Sequence, residues 1–443
     1  MSTRTRKALV GLGIGLALAD SSVVTLALPD ILRQFDVEIP TVAWVLTSYN
    51  LWLALAAVPA AYAARRRPVL AFTAGTLVFA AASLACALAP SFGVLVGARC
   101  VQAVGGALLV CAALDLLTEI QGSDGSAVRT WATAGILGAA LGPAIGGILT
   151  ETLGWESIFL VQAPLALLTI LALVGLEARP IRGPAGRPHI PANLALLLIS
   201  GALTAALFLL VLLLVDGWRI NPAAAGVIVT VLPIAAIATG RLAHRLGSPR
   251  ARAASGAVLI AGGLGALGVL PGSSWLWTLA PQVLVGAGLG LSLSALTERA
   301  LEGRSPQAVH GGWTIAARHA GIVLGLLLLT PIFTSGLDRN EHRALAAGTA
   351  AVLDSRISPL DKIGVARDVL VAVDKAQADA KIPDVRAVVG HRDDSAYADL
   401  GDALQDQLDR AVTNAFSNSF LVSALLGLLA LIPIVLGRKE VGV

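Results

Sequence analysis

Charge is scarce in this chain. Lys, Arg, Asp and Glu together supply 14% of its 443 residues and apolar types 56%, whereas about a quarter of the residues of a soluble domain are charged. A soluble globular protein of this size is excluded. Cysteine is scarce too: Cys86, Cys100 and Cys111 fall in apolar stretches without metal-ligand spacing, which excludes a disulfide framework and reads as small buried hydrophobes. The six histidines are scattered. There is no HExxH, no nucleophile with a base nearby and no glycine loop of the kind that cradles phosphate, so an enzyme has no support and no metal or organic cofactor is implied.

Long apolar runs are what the chain has in abundance. About 20 helical residues cross ~30 Å of hydrocarbon. By that measure twelve segments are predicted to span a membrane, at about 8–33, 41–64, 68–89, 92–118, 128–151, 155–177, 191–215, 222–242, 252–270, 275–298, 308–334 and 416–437. Pro, Gly and charge clusters set their ends. With the N-terminus in the cytoplasm, the connections facing inward carry Arg65, Arg66, Arg67, Arg129, Arg179, Arg182, Arg187, Arg245, Arg250, Arg252, Arg304, Arg438 and Lys439, against only Arg33 and Arg219 in the short outward ones. The positive-inside bias therefore predicts both termini in the cytoplasm. Trp44, Trp155, Trp218, Trp275 and Trp277 near outer ends, and Trp131 near an inner one, agree with interfacial anchoring.

One acid interrupts the first segment, Asp20 in "GLGIGLALADSSVVTLALPDIL". A signal peptide would account for it, with Arg4, Arg6 and Lys7 as a basic lead and Ala17-Leu18-Ala19 as the cleavage site. A cut there, however, leaves "SSVVTLAL" too short to span and puts every later basic loop on the wrong side. Asp20 is expected inside a membrane helix, about 12 residues or ~18 Å from its inner end.

Residues 335–415 break the pattern, holding half of the chain's 28 acids. Long translocated segments escape the charge rule, so a small helical extracytoplasmic domain is expected here. Ser358 before Pro359 fits an N-cap with a first-position proline, and "YADLGDALQDQLDRAVTNAF" is expected to run as helix into the last span. The domain reads equally as a cap, as a platform for an envelope partner, or as a solvated insertion.

Four stretches together carry a family resemblance. "LADSSVVTLALPDI", "RCVQAVGGALLV" from Arg99, "GILGAALGPAIGGIL" and "WESIFLVQAP" resemble, in the right order, the motifs in helices 1, 4, 5 and 6 of drug:proton antiporters of the major facilitator superfamily. The resemblance implies an all-α fold of twelve transmembrane helices in two six-helix bundles: 1–178, a cytoplasmic linker 179–190, and 191–334 completed by 416–443, with 335–415 outside. It further implies a monomer in a bacterial plasma membrane, driven by the proton gradient, with a small amphiphilic substrate and no nucleic-acid partner. This branch usually has fourteen helices; here two linker helices are missing.

A charge at mid-membrane costs ~2.5–3.5 kcal/mol on insertion scales, so it normally faces a cavity or a partner. Asp20 is expected to bind the proton and Arg99 to alter its affinity; a static salt bridge locking two helices is the alternative. Tyr49, Asn50 and Gln102, with Arg318 and His319 from "TIAARHAGIVLG", are expected to line the substrate cavity. Arg318 would meet an anionic substrate group or an acid of the other bundle. His319 reads as cavity lining, although an imidazole also relays protons. In the fifth segment Gly135, Gly138, Gly142, Gly146 and Gly147 bare the helix for close packing and Pro143 kinks it; in the resembled family this helix meets its counterpart and closes the inner side.

The inner-gate loops depart from the family pattern. "AAYAARRRPVL" keeps Arg65, Arg66 and Arg67 but lacks the usual acid and glycines, and "GRLAHRLG" has Arg241 and, where an acid is frequent, His244. The basic run is expected to pair with Asp115 or Glu119. The function expected is proton-coupled export of lipophilic or cationic compounds from a wide apolar cavity by alternating access. An exporter or flippase of an envelope lipid or secreted metabolite, and a sensor that no longer cycles, stay open beside it.

Overall fold

A computed structural model describes residues 1–178, 184–301, 303–355, 357–378, 384–389 and 395–437. Arg179, Arg182, Asp393, Asp394, Arg438 and Lys439 lie outside the described residues, as does the side chain of His244. Helix dominates, and no strand occurs among the described residues.

In the first half of the chain the helices are α1 (Thr3–Thr25), α2 (Trp44–Ala64), α3 (Pro68–Ala87), α4 (Phe92–Gln121), α5 (Asp124–Leu153) and α6 (Glu156–Leu168). Their ends follow local chemistry. Ser2 accepts the Thr5 amide at 3.2 Å to start α1, Pro68 opens α3 where its missing N–H costs nothing, and Gly122 closes α4 at a φ of 65°. The first span is not the continuous 8–33 expected. It stops at Thr25 and resumes at Leu28–Phe35, because Pro29 has no N–H to give and its ring crowds the carbonyl four residues back.

The second half contributes α7 (Ile190–Thr204, wound on through π-helical turns to Gly217), α8 (Pro222–Leu242), α9 (Pro249–Leu267), α10 (Leu276–Leu301) and α11 (Gln307–Asp354). After them come α12 (Pro359–Ala378) and α13 (Ser395–Leu429). Eleven helical stretches among the described residues are long and apolar enough to cross a membrane. The remaining helix of the bundle, α9, carries Arg250 and Arg252 in its first turn and packs against α10 and α13.

One end of the bundle carries the arginine-rich turns and is called the basic end below. The other carries α12 and is the acidic end. The expected boundary at 335 falls inside a continuous helix, since α11 runs on to Asp354, while α13 is one helix from Ser395 through 415 to Leu429. Beyond the bundle, Val352, Ile357, Val365, Val385, Val389, Tyr397, Leu400 and Leu404 form a small core of their own. Arg219, in the turn before α8, reaches Asp384 at 3.8 Å and Asp409 at 3.7 Å, and Trp218 Nε1 donates to Thr413 Oγ1 at 3.0 Å.

The glycines of α5 act by letting backbones touch. A Cβ on Gly138 would lie 2.3 Å from the Gly15 carbonyl oxygen of α1, and one on Gly147 would lie 2.4 Å from the Pro222 carbonyl oxygen of α8. The α5–α8 contact, which also brings Gly226 against the Pro143 carbonyl, therefore sits in the half nearer the acidic end. The resemblance had it closing the opposite side. At the basic end it is α11 that bridges the bundles, with Gly312 packed on Ala57 and Ala61 of α2.

Candidate functional site

Asp20 on α1 and Arg99 on α4 form an ion pair with no solvent exposure on either side chain. The pair sits in a shell that satisfies most of both groups. Arg99 Nε donates to the Val45 carbonyl at 3.1 Å and Nη1 to Gln102 Oε1 at 2.7 Å as well as to Asp20. The guanidinium plane lies 4.3 Å from the Tyr49 ring centroid, close enough for a cation–π contact, and Tyr49 is held by its hydroxyl on the Ala17 carbonyl at 2.8 Å. Gln102 Nε2 faces Asp20 Oδ1 at 3.3 Å, Ser83 Oγ at 2.8 Å and Gln162 Oε1 at 3.0 Å. Only Arg99 Nη2 lacks a partner.

Tyr49 and Gln102, expected on the cavity wall, thus belong to the shell of the ion pair, because the face of α4 that carries Arg99 turns into the first bundle rather than out of it. Gln162 and Ser83 complete that shell and were not anticipated. Each is an uncharged polar residue in an apolar span, and that is the only signal the sequence offers.

Beside this shell, between the two bundles, lies a chamber lined by Asn50, Arg318 and His319 among mostly apolar neighbours. His319 Nδ1 is 2.7 Å from Asn50 Oδ1, which also accepts from Ser21 Oγ at 3.2 Å. The chamber measures about 130 Å³, room for a few waters and well below the ~300–1,000 Å³ of a typical ligand pocket. The wide cavity expected is narrow at this level. A vestibule of about 1070 Å³ opens toward the basic end, lined by Arg129, Arg241, Arg252 and Arg304 among others, and it shares Ile136 and Ala236 with the chamber.

The gate residues are arranged differently from the expectation. Asp115 is buried near the first turn of α11, and neither of its carboxylate oxygens makes a hydrogen bond among the described residues. The Arg65 guanidinium lies over the Tyr62 ring, 5.7 Å from its centroid. A helix N-terminus favours a nearby carboxylate, and the start of α11 lies by Asp115. Arg241 stands on the vestibule wall.

Two bundles enclosing a central chamber, with a buried acid on the first helix, describe a transporter architecture, and the profile of the Major Facilitator Superfamily matches residues 10–337. The chain belongs to this superfamily. It is a multi-pass membrane protein of a transporter family, not an enzyme. In fold it is similar to a bacterial homolog of the human lysosomal transporter Spinster in an inward-facing, unoccupied conformation, with 16% identity, a TM-score of 0.64 and 99% of each chain covered. In sequence it is similar to the drug efflux pump JefA of Mycobacterium tuberculosis, 34% identical over 38% of this chain and 34% of that protein. It is also similar to the multidrug efflux pump LfrA of Mycolicibacterium smegmatis, 36% identical over 43% of this chain and 38% of that one. The match thus spans little more than a third of these relatives' own length.

Proposed function

We propose that this protein is a proton-coupled exporter of amphiphilic compounds, working by alternating access with its basic end in the cytoplasm and its acidic end outside a bacterial plasma membrane. The observation that carries the reading is the Asp20–Arg99 pair, sealed from water on the same helix turn as Ser21 and Ser22 of the chamber wall. A proton reaching Asp20 discharges half of the pair. Arg99 keeps the Val45 carbonyl and Gln102, so the first bundle holds together while the field across the chamber changes. Substrate enters through the vestibule at the basic end, and the α5–α8 contact gives way to release it at the acidic end. The similarity to efflux pumps over 38% and 43% of the chain supports the same reading.

Reconstitution in liposomes under an imposed pH gradient tests it, following proton movement while tetraphenylphosphonium, a neutral dye and a lysolipid are offered in turn. Proton flux linked to at least one of them is expected; none for any would refute proton-coupled export.

A second reading, export of a cell-envelope lipid, has one observation in its favour. A groove of about 850 Å³ runs between α1, α5 and α6, with Arg4, Lys7 and Arg129 at the basic end. Leu137, Leu141 and Ile145 in its lining are exposed on the bundle surface, so the groove is accessible from the bilayer. In the same liposome assay this reading expects the lysolipid alone to elicit flux.

A further inference from the structure

Arg318 stands, partly buried, on the wall of the central chamber, and among the described residues it has neither a hydrogen-bond partner nor an ion-pair partner. No carboxylate lines the chamber. Asp20 is fully buried and already held by Arg99 and Gln102. His319 beside it is turned to Asn50. A guanidinium without a counter-ion in an apolar enclosure is costly unless something brings it an anion, and its planar fork suits a carboxylate, phosphate or sulfonate.

The route to the chamber has the same sign. The vestibule wall holds Arg129, Arg241, Arg252 and Arg304 against Asp124 and Glu298, and Glu298 is taken up by Arg252 at 2.8 Å. A cleft of one sign between low-dielectric walls raises the local concentration of the opposite ion. Vestibule and chamber share Ile136 and Ala236, so the two positive regions lie along one path.

We infer that the substrates are lipophilic organic anions, held by Arg318 when the chamber opens. The inference rests on the chamber being the substrate site of the exporter proposed above, and it reverses the preference for lipophilic cations expected from the sequence.

Tetraphenylborate and tetraphenylphosphonium are matched in shape and opposite in charge, which makes them direct probes. Their binding to the purified full-length chain is measured by calorimetry without a pH gradient, for wild type, Arg318→Gln and Arg318→Lys. Coulomb attraction to a guanidinium in a low-dielectric enclosure, with repulsion of the matched cation, favours the anion by about ten-fold or more, so wild type and Arg318→Lys are expected to prefer tetraphenylborate and Arg318→Gln to lose the preference. Equal or tighter binding of the cation by wild type overturns the inference, as does an anion preference that survives in Arg318→Gln. Should Arg318→Gln not fold, wild type and Arg318→Lys decide alone. Anion preference without proton-linked transport would refute the exporter reading only, and proton-linked transport of cations without anion preference would refute this inference only.

Discussion

His319 Nδ1 and Asn50 Oδ1, 2.7 Å apart, make a hydrogen bond that crosses from the second bundle to the first at the chamber. Asn50 is fixed for this contact: its Nδ2 donates to the Leu46 carbonyl at 2.8 Å, leaving Oδ1 to accept from both Ser21 and His319. With an acceptor opposite it, Nδ1 is the nitrogen that carries the hydrogen.

A bond of this kind is worth about 0.5–1.5 kcal/mol, or roughly two- to ten-fold in a conformational equilibrium. Asn50→Ala is therefore expected to raise the population with separated bundles by that factor. Spin labels placed one on each bundle read it out through their distance distribution. His319→Ala should do the same, and the double variant no more than either alone; additive effects would mean that the two residues act separately.

Arg99→Ala leaves the Asp20 carboxylate buried without its cation, at a cost of about 3–5 kcal/mol. Thermal unfolding in detergent should show a large drop in Tm. Adding Asp20→Asn removes the uncompensated charge and should restore part of the loss. A double variant as unstable as the sum of the two single ones would contradict a coupled pair.

Gly147→Val forces α5 and α8 apart at the Pro222 carbonyl, with overpacking of about 1–3 kcal/mol. The expected outcome is a longer label-to-label distance across the acidic end, with α1 to α4 unperturbed. An unchanged distance would mean that this contact is not what closes that end.

Arg219→Ala removes the contacts to Asp384 and Asp409. Hydrogen exchange is expected to quicken in Val385–Val389 and at the start of α13, while the bundle helices keep their protection. Loosening of α7 and α8 instead would assign Arg219 to the bundle rather than to the domain beyond it.

The charged centre was legible in the sequence because charge in hydrocarbon is expensive: Asp20 and Arg99 stand out in apolar runs wherever the chain folds. Their shell was not. Gln162 and Ser83 look like any polar residue able to bond within its own helix, and only the packing of α3 against both α4 and α6 turns them to the pair. The length of α11 was hidden for another reason. The charges of "DRNEHR" read as the end of a span, yet a helix leaving a bilayer has no need to stop there. The α5 glycines announced close packing but not a partner, since α1 and α8 both approach that helix.

Proton release on ligand binding is the most direct test of the central claim, that Asp20 exchanges its proton against substrate. Tetraphenylborate, tetraphenylphosphonium and a neutral dye are added in turn to purified protein in weakly buffered detergent, and a pH indicator follows the solution. Wild type is predicted to release up to about one proton per molecule with any compound it binds, since linkage between the two ligands is reciprocal, and Asp20→Asn to bind without release. Release that persists in Asp20→Asn would contradict Asp20 as the proton site, and binding to wild type without release would contradict the exchange itself.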